Sequence, residues 1–274
     1  MRGFLRGPQA RIGIVVVIAI AAFCVIGPFF YHSNQVRVRL DQTSLPPGAG
    51  HPLGTDAEGY DVLGRLMVGG RASLELGFAV AVATTAIGTV YGAVAGLLGG
   101  VWDAIMMRVI DTLLAVPGLI LLLILVNVFT PSLPMIIALL TVLSWLGTAR
   151  LVRGEVLGLR ARDFVIAARA MGARSPAVVF RHLIPNCVGV IVVSATFTVS
   201  DAILTLSALS FLGLGLPPPA ADWGTMLSNG LEYLFDGYWW QVYPPALALI
   251  ATVLAFNLIG DAVRDWTSGD YARV

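Results

Sequence analysis

Lysine is absent from the 274-residue sequence, and all 17 of its basic residues are arginine. A P-loop requires a lysine that reaches the β- and γ-phosphates of a bound nucleotide. This chain therefore cannot hold a nucleotide site of that type. If ATP drives its function, another polypeptide must bind the ATP and its Mg²⁺, and no cofactor is expected on this chain.

Cysteine and histidine are scarce. The two cysteines, Cys24 and Cys187, form no Cys-x-x-Cys motif and predict no disulfide. His32, His51 and His182 lie far apart without the spacing of metal ligands, so no metal site is predicted. The carboxylates are scattered singly, and neither Gly-x-Ser-x-Gly nor His-Glu-x-x-His occurs. No catalytic residues are therefore predicted, and an enzyme is not expected.

Charge is also scarce, at 12% of residues against 57% hydrophobic, whereas a soluble domain carries about 25% charged residues. Six nearly uncharged stretches are each long enough to cross a hydrocarbon core of roughly 30 Å. The sequence therefore predicts an all-α polytopic membrane protein with six transmembrane helices. The predicted spans are Ile12–Tyr31, Leu74–Leu98, Val109–Phe129, Met135–Leu151, Val188–Gly213 and Pro245–Val263.

The arginines predict the orientation of these spans. If the N-terminus is cytoplasmic, thirteen arginines, including Arg2, Arg6 and Arg273, fall inside and only four fall outside. The positive-inside rule then predicts that both termini are cytoplasmic. The outer loop after the fifth span contains six Trp and Tyr residues that suit an interfacial belt. They are Trp223, Tyr233, Tyr238, Trp239, Trp240 and Tyr243.

Small residues and a proline predict how two spans pack. Gly88, Gly92 and Gly96 form a doubled Gly-x-x-x-Gly pattern in the second span. Such residues let helix backbones approach closely in lipid, so we expect this span to pack inside the bundle. Pro117 is expected to kink the third span.

The segment between the fourth and fifth spans predicts a helical hairpin. Asp163 is a candidate N-cap of a short helix that Gly172 ends, and Ser175 followed by Pro176 is a typical start of a second helix, which Pro185 stops. In the first helix an i, i+3, i+4, i+7 pattern places Phe164, Ala167, Ala168 and Met171 on one face. Physical chemistry alone allows two roles, a docking ridge for another protein or an amphipathic hairpin on anionic headgroups.

A polar stripe runs along the fifth span. Ser194, Thr198, Asp201 and Thr205 are separated by four, three and four residues and so share one face. They could line a solute path in which Asp201 meets an N-terminal amine. Alternatively, Asp201 pairs with a neighbouring helix and the hydroxyls bond to their own i−4 carbonyls.

Two other carboxylates lie near helix ends beside arginines. Asp111 follows Arg108 by three residues, and Asp261 precedes Arg264 by three residues. In both cases we expect a local ion pair at the helix end.

The hairpin segment resembles the EAA loop of ABC-importer permeases. Ala167, Ala168, Gly172 and Pro185 stand at matching positions of that motif, whereas Ile166, His182 and Ile184 depart from it. Three further segments resemble the C-type permeases of dipeptide and oligopeptide importers. They are His51–Leu74, Gly99–Pro117 and Leu209–Leu227.

The resemblance implies a type I ABC-importer permease. It further implies a homologous second permease, two ATPases that the loop contacts, an external solute-binding protein and surrounding lipid, with no role for nucleic acid. The ATPase-coupling residues would be Asp163, Phe164, Ala167, Ala168, Met171, Gly172, Ser175, His182 and Pro185. The implied organisation is an anchor helix with an external segment in 1–73, a permease core in 74–264 that contains the coupling loop at about 152–187, and a cytoplasmic tail in 265–274.

The implied cargo is a dipeptide or oligopeptide, and glutathione or a nickel chelate remain alternatives because their importers use related permeases. An ion-coupled secondary transporter is the alternative from another class. It would be expected to show repeated halves with paired broken helices, and neither is visible in the sequence.

Overall fold

The computed structural model of the protein describes residues 7–33 and 35–268. Arg2, Arg6, Arg273 and the end of the predicted tail lie outside these ranges. The described residues form helices and two isolated β-bridges, without a β-strand. In chain order the helices are α1 (Pro8–Phe30), α2 (Val62–Leu98), α3 (Gly100–Leu114), α4 (Gly118–Val128), α5 (Leu133–Leu159), α6 (Asp163–Ala170), α7 (Ser175–Val178), α8 (Ile184–Asn186), α9 (Val188–Phe211), α10 (Trp223–Leu231) and α11 (Tyr243–Ser268).

Helices α1, α2, α5, α9 and α11 are long and apolar enough to cross a membrane, and the pair α3 and α4 passes the same test together. The described part of the chain thus has five candidate spans, or up to six if the pair is one span. In the bundle, α2 packs against α5 and α9, α9 against α11, and α1 against α11 and α2. The prediction of an all-α polytopic fold is confirmed.

The third predicted span, Val109–Phe129, is not one helix. The axes of α3 and α4 differ by 73° across the break before Pro117. Proline has no N–H to donate to the preceding turn, and it disfavours the helical conformation in the residue before it. The expected kink at Pro117 is therefore a sharp break between two helices.

Helix α2 begins at Val62, well before the predicted Leu74. The side chain of Asp61 caps it, because its Oδ1 accepts a hydrogen bond from the backbone N–H of Gly64 at 2.8 Å. The first turns of α2 contain polar residues, so a search for apolar runs misses them. Helix α5 likewise continues to Leu159, beyond the predicted Leu151.

The glycines of α2 lie where α2 meets α5. A Cβ atom added to Gly88 would stand 2.7 Å from Thr148 Cβ, and one on Gly92 would stand 2.3 Å from the backbone oxygen of Ala149. A Cβ on Gly96 would be 2.7 Å from Val156 Cγ1. Because none of these sites has room for a methyl group, the two helix backbones approach each other more closely than larger residues would permit.

Two tryptophans of the predicted interfacial belt are instead buried. Trp223 is fully buried and donates from Nε1 to the backbone oxygen of Leu66 at 3.0 Å. Trp240 is 6% exposed and donates to the backbone oxygen of Thr55 at 3.1 Å. Both indoles join the α9–α11 connection to the segment around α2, so the belt expectation is wrong for them. Trp239 and Tyr243 are about half exposed.

Candidate coupling hairpin and solute cavity

The predicted hairpin forms at residues 163–186. Its first arm, α6, ends in a Schellman motif: the N–H of Ala173 donates to the Ala168 oxygen, and that of Gly172 to the Arg169 oxygen, both at 3.0 Å. Gly172 adopts φ +84°, a conformation that L-residues with a side chain rarely adopt. The turn at Gly172 therefore has a local chemical cause.

The helix starts differ from expectation by one residue. Arg162 is the N-cap of α6 and Arg174 that of α7, and neither Asp163 nor Ser175 makes a side-chain capping bond. Asp163 is instead the first helical residue, where a carboxylate still stabilises the positive end of the helix dipole. Pro176 occupies the first turn of α7, as predicted.

The second arm changes its helical type rather than stopping at Pro185. After α7, residues Val179–Leu183 form a π-helical turn, and Pro185 lies within the short α8. Because Pro185 lacks an N–H, it cannot support an α-helical bond to the turn before it. The side chain of Asn186 donates to the backbone oxygen of His182 at 2.6 Å, so this carbonyl of the π-helical turn has a hydrogen-bond donor.

One side of the hairpin is buried against the ends of α2 and α5. This cluster joins the buried hairpin residues to apolar residues of the two spans. Its members are Val165, Val178, Val179, Leu183, Cys187, Ala93, Leu97, Val152 and Val156. Burial of these side chains holds the hairpin on the bundle through the hydrophobic effect.

Two arginines reinforce this attachment, Arg169 within the hairpin and Arg160 at the end of α5 just before it. Arg160 donates from Nη1 to the backbone oxygen of Gly96 at 3.1 Å, and Arg169 from Nη2 to that of Leu97 at 3.4 Å. These carbonyls belong to the last turn of α2, which has no intrahelical donors left for them. Basic side chains at this end also interact favourably with the helix dipole. Movement of the hairpin is therefore linked directly to the end of α2.

The rest of the hairpin exposes several large apolar side chains. Phe164 is 40% exposed, Ile166 55%, Phe180 60% and Met171, at the turn, 82%. The face predicted for α6 is divided: Phe164, Ala167 and Met171 are exposed, whereas Ala168 is buried. The hairpin thus has one side fixed to the bundle and one side without a partner in the described chain.

A cavity of about 520 Å³ lies between α5, α9 and α11. Its lining consists of Ser144, Gly147, Thr148, Leu151, Val190, Val193, Ser194, Phe197, Thr198, Asp201, Arg264 and Thr267. Three members of the predicted polar stripe, Ser194, Thr198 and Asp201, are therefore brought together on one wall. Thr205 is not part of this lining.

The hydroxyl groups of the stripe have partners inside the protein. Thr198 donates to the backbone oxygen of Ser194 at 2.8 Å, and Thr205 to that of Asp201 at 2.7 Å. The hydroxyls of Ser194 and Thr148 are 2.8 Å apart and join α9 to α5. The Asp201 carboxylate, in contrast, is exposed and makes no hydrogen bond or ion pair with any described residue. The alternative of back-bonding hydroxyls thus holds for the threonines, but no helix neighbour pairs with Asp201.

Thr148 and Arg264 are among the cavity residues that the sequence did not predict. Arg264 was predicted to pair with Asp261, and the pair exists only at 3.9 Å. The corresponding expectation for Asp111 is wrong, because its Oδ1 accepts from Arg150 Nη2 at 2.6 Å rather than from Arg108. Arg150 lies on α5, so the pair depends on tertiary packing.

No cluster of three or more His, Cys, Asp or Glu residues suited to a metal ion occurs in residues 7–33 and 35–268.

The described residues thus form a multi-span helical bundle with an exposed hairpin and a cavity whose lining includes Asp201 and several hydroxyl groups. The chain matches the family model of the binding-protein-dependent transport system inner membrane component over residues 88–271, and it belongs to this family.

Its similarity to individual proteins extends over nearly the whole chain. It is 41% identical over 264 residues to the dipeptide transport system permease protein DppC of Bacillus subtilis (strain 168), covering 96% of this chain and 82% of that protein. It is 38% identical to the oligopeptide transport system permease protein OppC of the same organism, covering 97% and 87%. Identity to the Haemophilus influenzae OppC is 36%, covering 96% and 85%.

Proposed function

We propose that this chain is a pore-forming permease subunit of an ATP-driven ABC importer that carries dipeptides or oligopeptides. The observation that carries this proposal is the similarity to permease proteins of dipeptide and oligopeptide transport systems along 96–97% of the chain. The absence of lysine supports the assignment of ATP hydrolysis to partner subunits.

The hairpin at residues 163–186 is the proposed contact with the ATPases. Its exposed side offers Phe164, Ala167 and Met171 around a compact turn, and a rigid ridge of this kind suits insertion into a cleft. Within the hairpin, Arg169 donates to the last turn of α2, and Arg160, at the end of α5 just before the hairpin, donates to the same turn. A movement of the bound ATPase would in this way be transmitted to the membrane helices.

The proposed assembly contains a homologous second permease, two ATPases and an external solute-binding protein. The hairpin would lie in the cytoplasm together with both termini, since thirteen arginines fall on that side and four on the other. The segment before α2 and the connection that contains α10 would then face the binding protein. The membrane would be the bacterial cytoplasmic membrane.

The cavity between α5, α9 and α11 is the proposed part of the solute path in this subunit. Ser194, Thr198 and Asp201 place polar groups on a wall that is otherwise mostly apolar. A charged residue inside a membrane costs free energy, about 2.5–3.5 kcal/mol on insertion scales, so its presence indicates a functional or structural demand.

Reconstitution of the complete importer in proteoliposomes tests the proposal. Wild-type transporter should take up a radiolabelled tripeptide only when ATP is inside and the binding protein outside. Met171→Glu should abolish ATP-driven uptake, because it places a charge on the exposed apolar side of the hairpin. The matched control is Val101→Glu, an equally drastic change at an apolar residue that is 74% exposed in the first turn of α3, outside the hairpin.

The control variant should retain most of the wild-type uptake. Normal ATP-driven uptake by Met171→Glu, together with intact co-purification of the ATPases, would exclude the hairpin as the coupling site. Uptake that continues without ATP and collapses with an ionophore would instead indicate an ion-coupled transporter.

A further inference from the structure

We propose that the cavity between α5, α9 and α11 binds both ends of a short zwitterionic peptide, with Asp201 receiving the terminal ammonium and Arg264 the terminal carboxylate. This inference rests on the proposed function and deepens it. Both side chains line the same cavity, although they belong to different helices. The two charges have the signs required by a peptide with free termini.

The relative heights of the two residues follow from contacts between α9 and α11. A Cβ atom on Gly189 would stand 2.5 Å from Thr267 Cγ2, and one on Gly260 would stand 3.0 Å from Phe197 Cζ. The two helices are therefore antiparallel, and Arg264 lies level with about residue 193 of α9. Asp201 is about eight residues further along, which corresponds to about 12 Å at 1.5 Å per residue.

This separation matches the length of a short peptide. An extended chain advances about 3.3–3.6 Å per residue, and each terminal charge-assisted hydrogen bond adds about 2.8 Å. Two residues therefore span about 12 Å, and a third fits if the long side chain of Arg264 reaches about 3.5 Å further away from Asp201. The cavity volume of about 520 Å³ leaves space for side chains between these points.

The binding capacity of both charged groups is still available. The Asp201 carboxylate has no polar partner among the described residues, and in a low-dielectric span a cationic ligand would offset its cost. The Arg264 side chain is 64% exposed and approaches Asp261 only at 3.9 Å, so most of its five N–H donors remain available.

The wall between the two charges suits a peptide backbone. Thr198 uses its proton in the bond to the Ser194 carbonyl, which leaves its hydroxyl oxygen as an acceptor for a peptide N–H. The hydroxyl pair of Thr148 and Ser194 lies on the same lining. The site would thus recognise the features common to all short peptides rather than particular side chains.

The test uses the detergent-solubilised complex of both permeases and both ATPases, without the binding protein, and compares radiolabelled trialanine with N-acetyl-trialanine. Wild type should bind the free-amine form at least about tenfold more tightly, the loss expected when one charge-assisted hydrogen bond is missing. Asp201→Asn should abolish this preference, and Arg264→Gln should abolish the corresponding preference for a free over an amidated C-terminus. Glu75→Gln, which removes an exposed carboxylate outside the cavity, should leave both preferences unchanged.

Uptake in proteoliposomes separates this inference from the proposed function. If wild type imports no peptide, the proposed function itself fails. If wild type imports peptide but Asp201→Asn keeps its preference for the free amine, or weakens both forms equally, the two-ended site is wrong and the importer assignment stands.

Discussion

Arg153 and Asp103 form a bidentate ion pair that ties α5 to α3. Arg153 Nε donates to Asp103 Oδ1 at 2.5 Å, and Nη2 donates to Oδ2 at 2.6 Å. The Asp103 side chain is only 11% exposed, whereas both members of the Asp111–Arg150 pair between the same helices are about half exposed. The two pairs therefore provide a direct comparison of buried and exposed ion pairs.

Replacement of Asp103 should destabilise the protein far more than replacement of Asp111. Asp103→Ala leaves Arg153 partly buried and unpaired, at a cost of about 3 kcal/mol, while Asp111→Ala should cost less than about 1 kcal/mol. Thermal unfolding of the purified protein in detergent measures both variants. Equal shifts in their midpoints would show that burial of the Asp103 pair does not determine its contribution.

Gly92 should not tolerate even alanine. Its missing Cβ would lie 2.3 Å from the Ala149 backbone oxygen, so Gly92→Ala must separate α2 from α5. Overpacking of this kind costs about 1–3 kcal/mol. Gly154→Ala on α5 is the control, because nothing lies within 4 Å of its Cβ position, and alanine is the better helix former by about 1 kcal/mol. Thermal midpoints should fall for the first variant and stay level or rise for the second.

Asp56 should make stability depend on pH. Burial raises the pKa of Asp56 above its ordinary value of 3.8 and outweighs the opposing N–H of Tyr60 and charge of Arg65. The folded protein therefore binds this proton more tightly than the unfolded protein does. The resulting contribution to the free energy of unfolding is complete below pH 3.8, and it is lost as the pH rises through the raised pKa of the folded state. Ionised Asp56 thus lowers stability at neutral pH.

Asp56→Asn keeps an oxygen that can accept from the Tyr60 and Glu58 N–H groups and avoids the buried charge. It should unfold at an equal or higher temperature than wild type at neutral pH, and the difference should vanish as the pH approaches 3.8. Asp41→Asn, at an exposed site, should show no such convergence. A lower midpoint for Asp56→Asn at neutral pH would contradict the prediction.

Gly172 should accept asparagine better than valine. Its φ of +84° is left-handed, and such a conformation costs roughly 1–2 kcal/mol for most residues, least for asparagine and aspartate and most for β-branched ones. No atom lies within 4 Å of its Cβ position, so a difference between the two variants cannot arise from steric clash. Helicity and ATP-driven uptake should both decline for Gly172→Val and be largely retained for Gly172→Asn.

The membrane helices were predictable because a span needs a long run of apolar residues, and such a run is visible in the sequence. The polar start of α2 was not, since Arg65 is buried by stacking 3.9 Å over the Tyr60 ring and its burial depends on the fold around it. The burial of Trp223 likewise depends on a contact with Leu66, which is 157 residues distant in the chain. Sequence periodicity carries no information on such pairs.

The candidate sites show the same division. Helical spacing placed Ser194, Thr198 and Asp201 on one face, because that relation is local to a single helix. Thr148 and Arg264 complete the cavity from two other helices and could not be found in this way. The turn at Gly172 was predictable from the glycine itself. The π-helical turn at Val179–Leu183 was not, because no residue type marks such a turn in the sequence, and Pro185 after it predicted only a helix end.

Helix α2 contains 37 residues, which gives it a length of about 55 Å at 1.5 Å per residue, well beyond a hydrocarbon core of roughly 30 Å. One of its ends is capped by Asp61, and the other is bonded to Arg160 and Arg169. A rod of this length acts as a lever: a small rotation about its middle displaces its two tips in opposite directions. A force on the hairpin around Met171, at one end of α2, would thereby displace the surface around Asp61 at the other end.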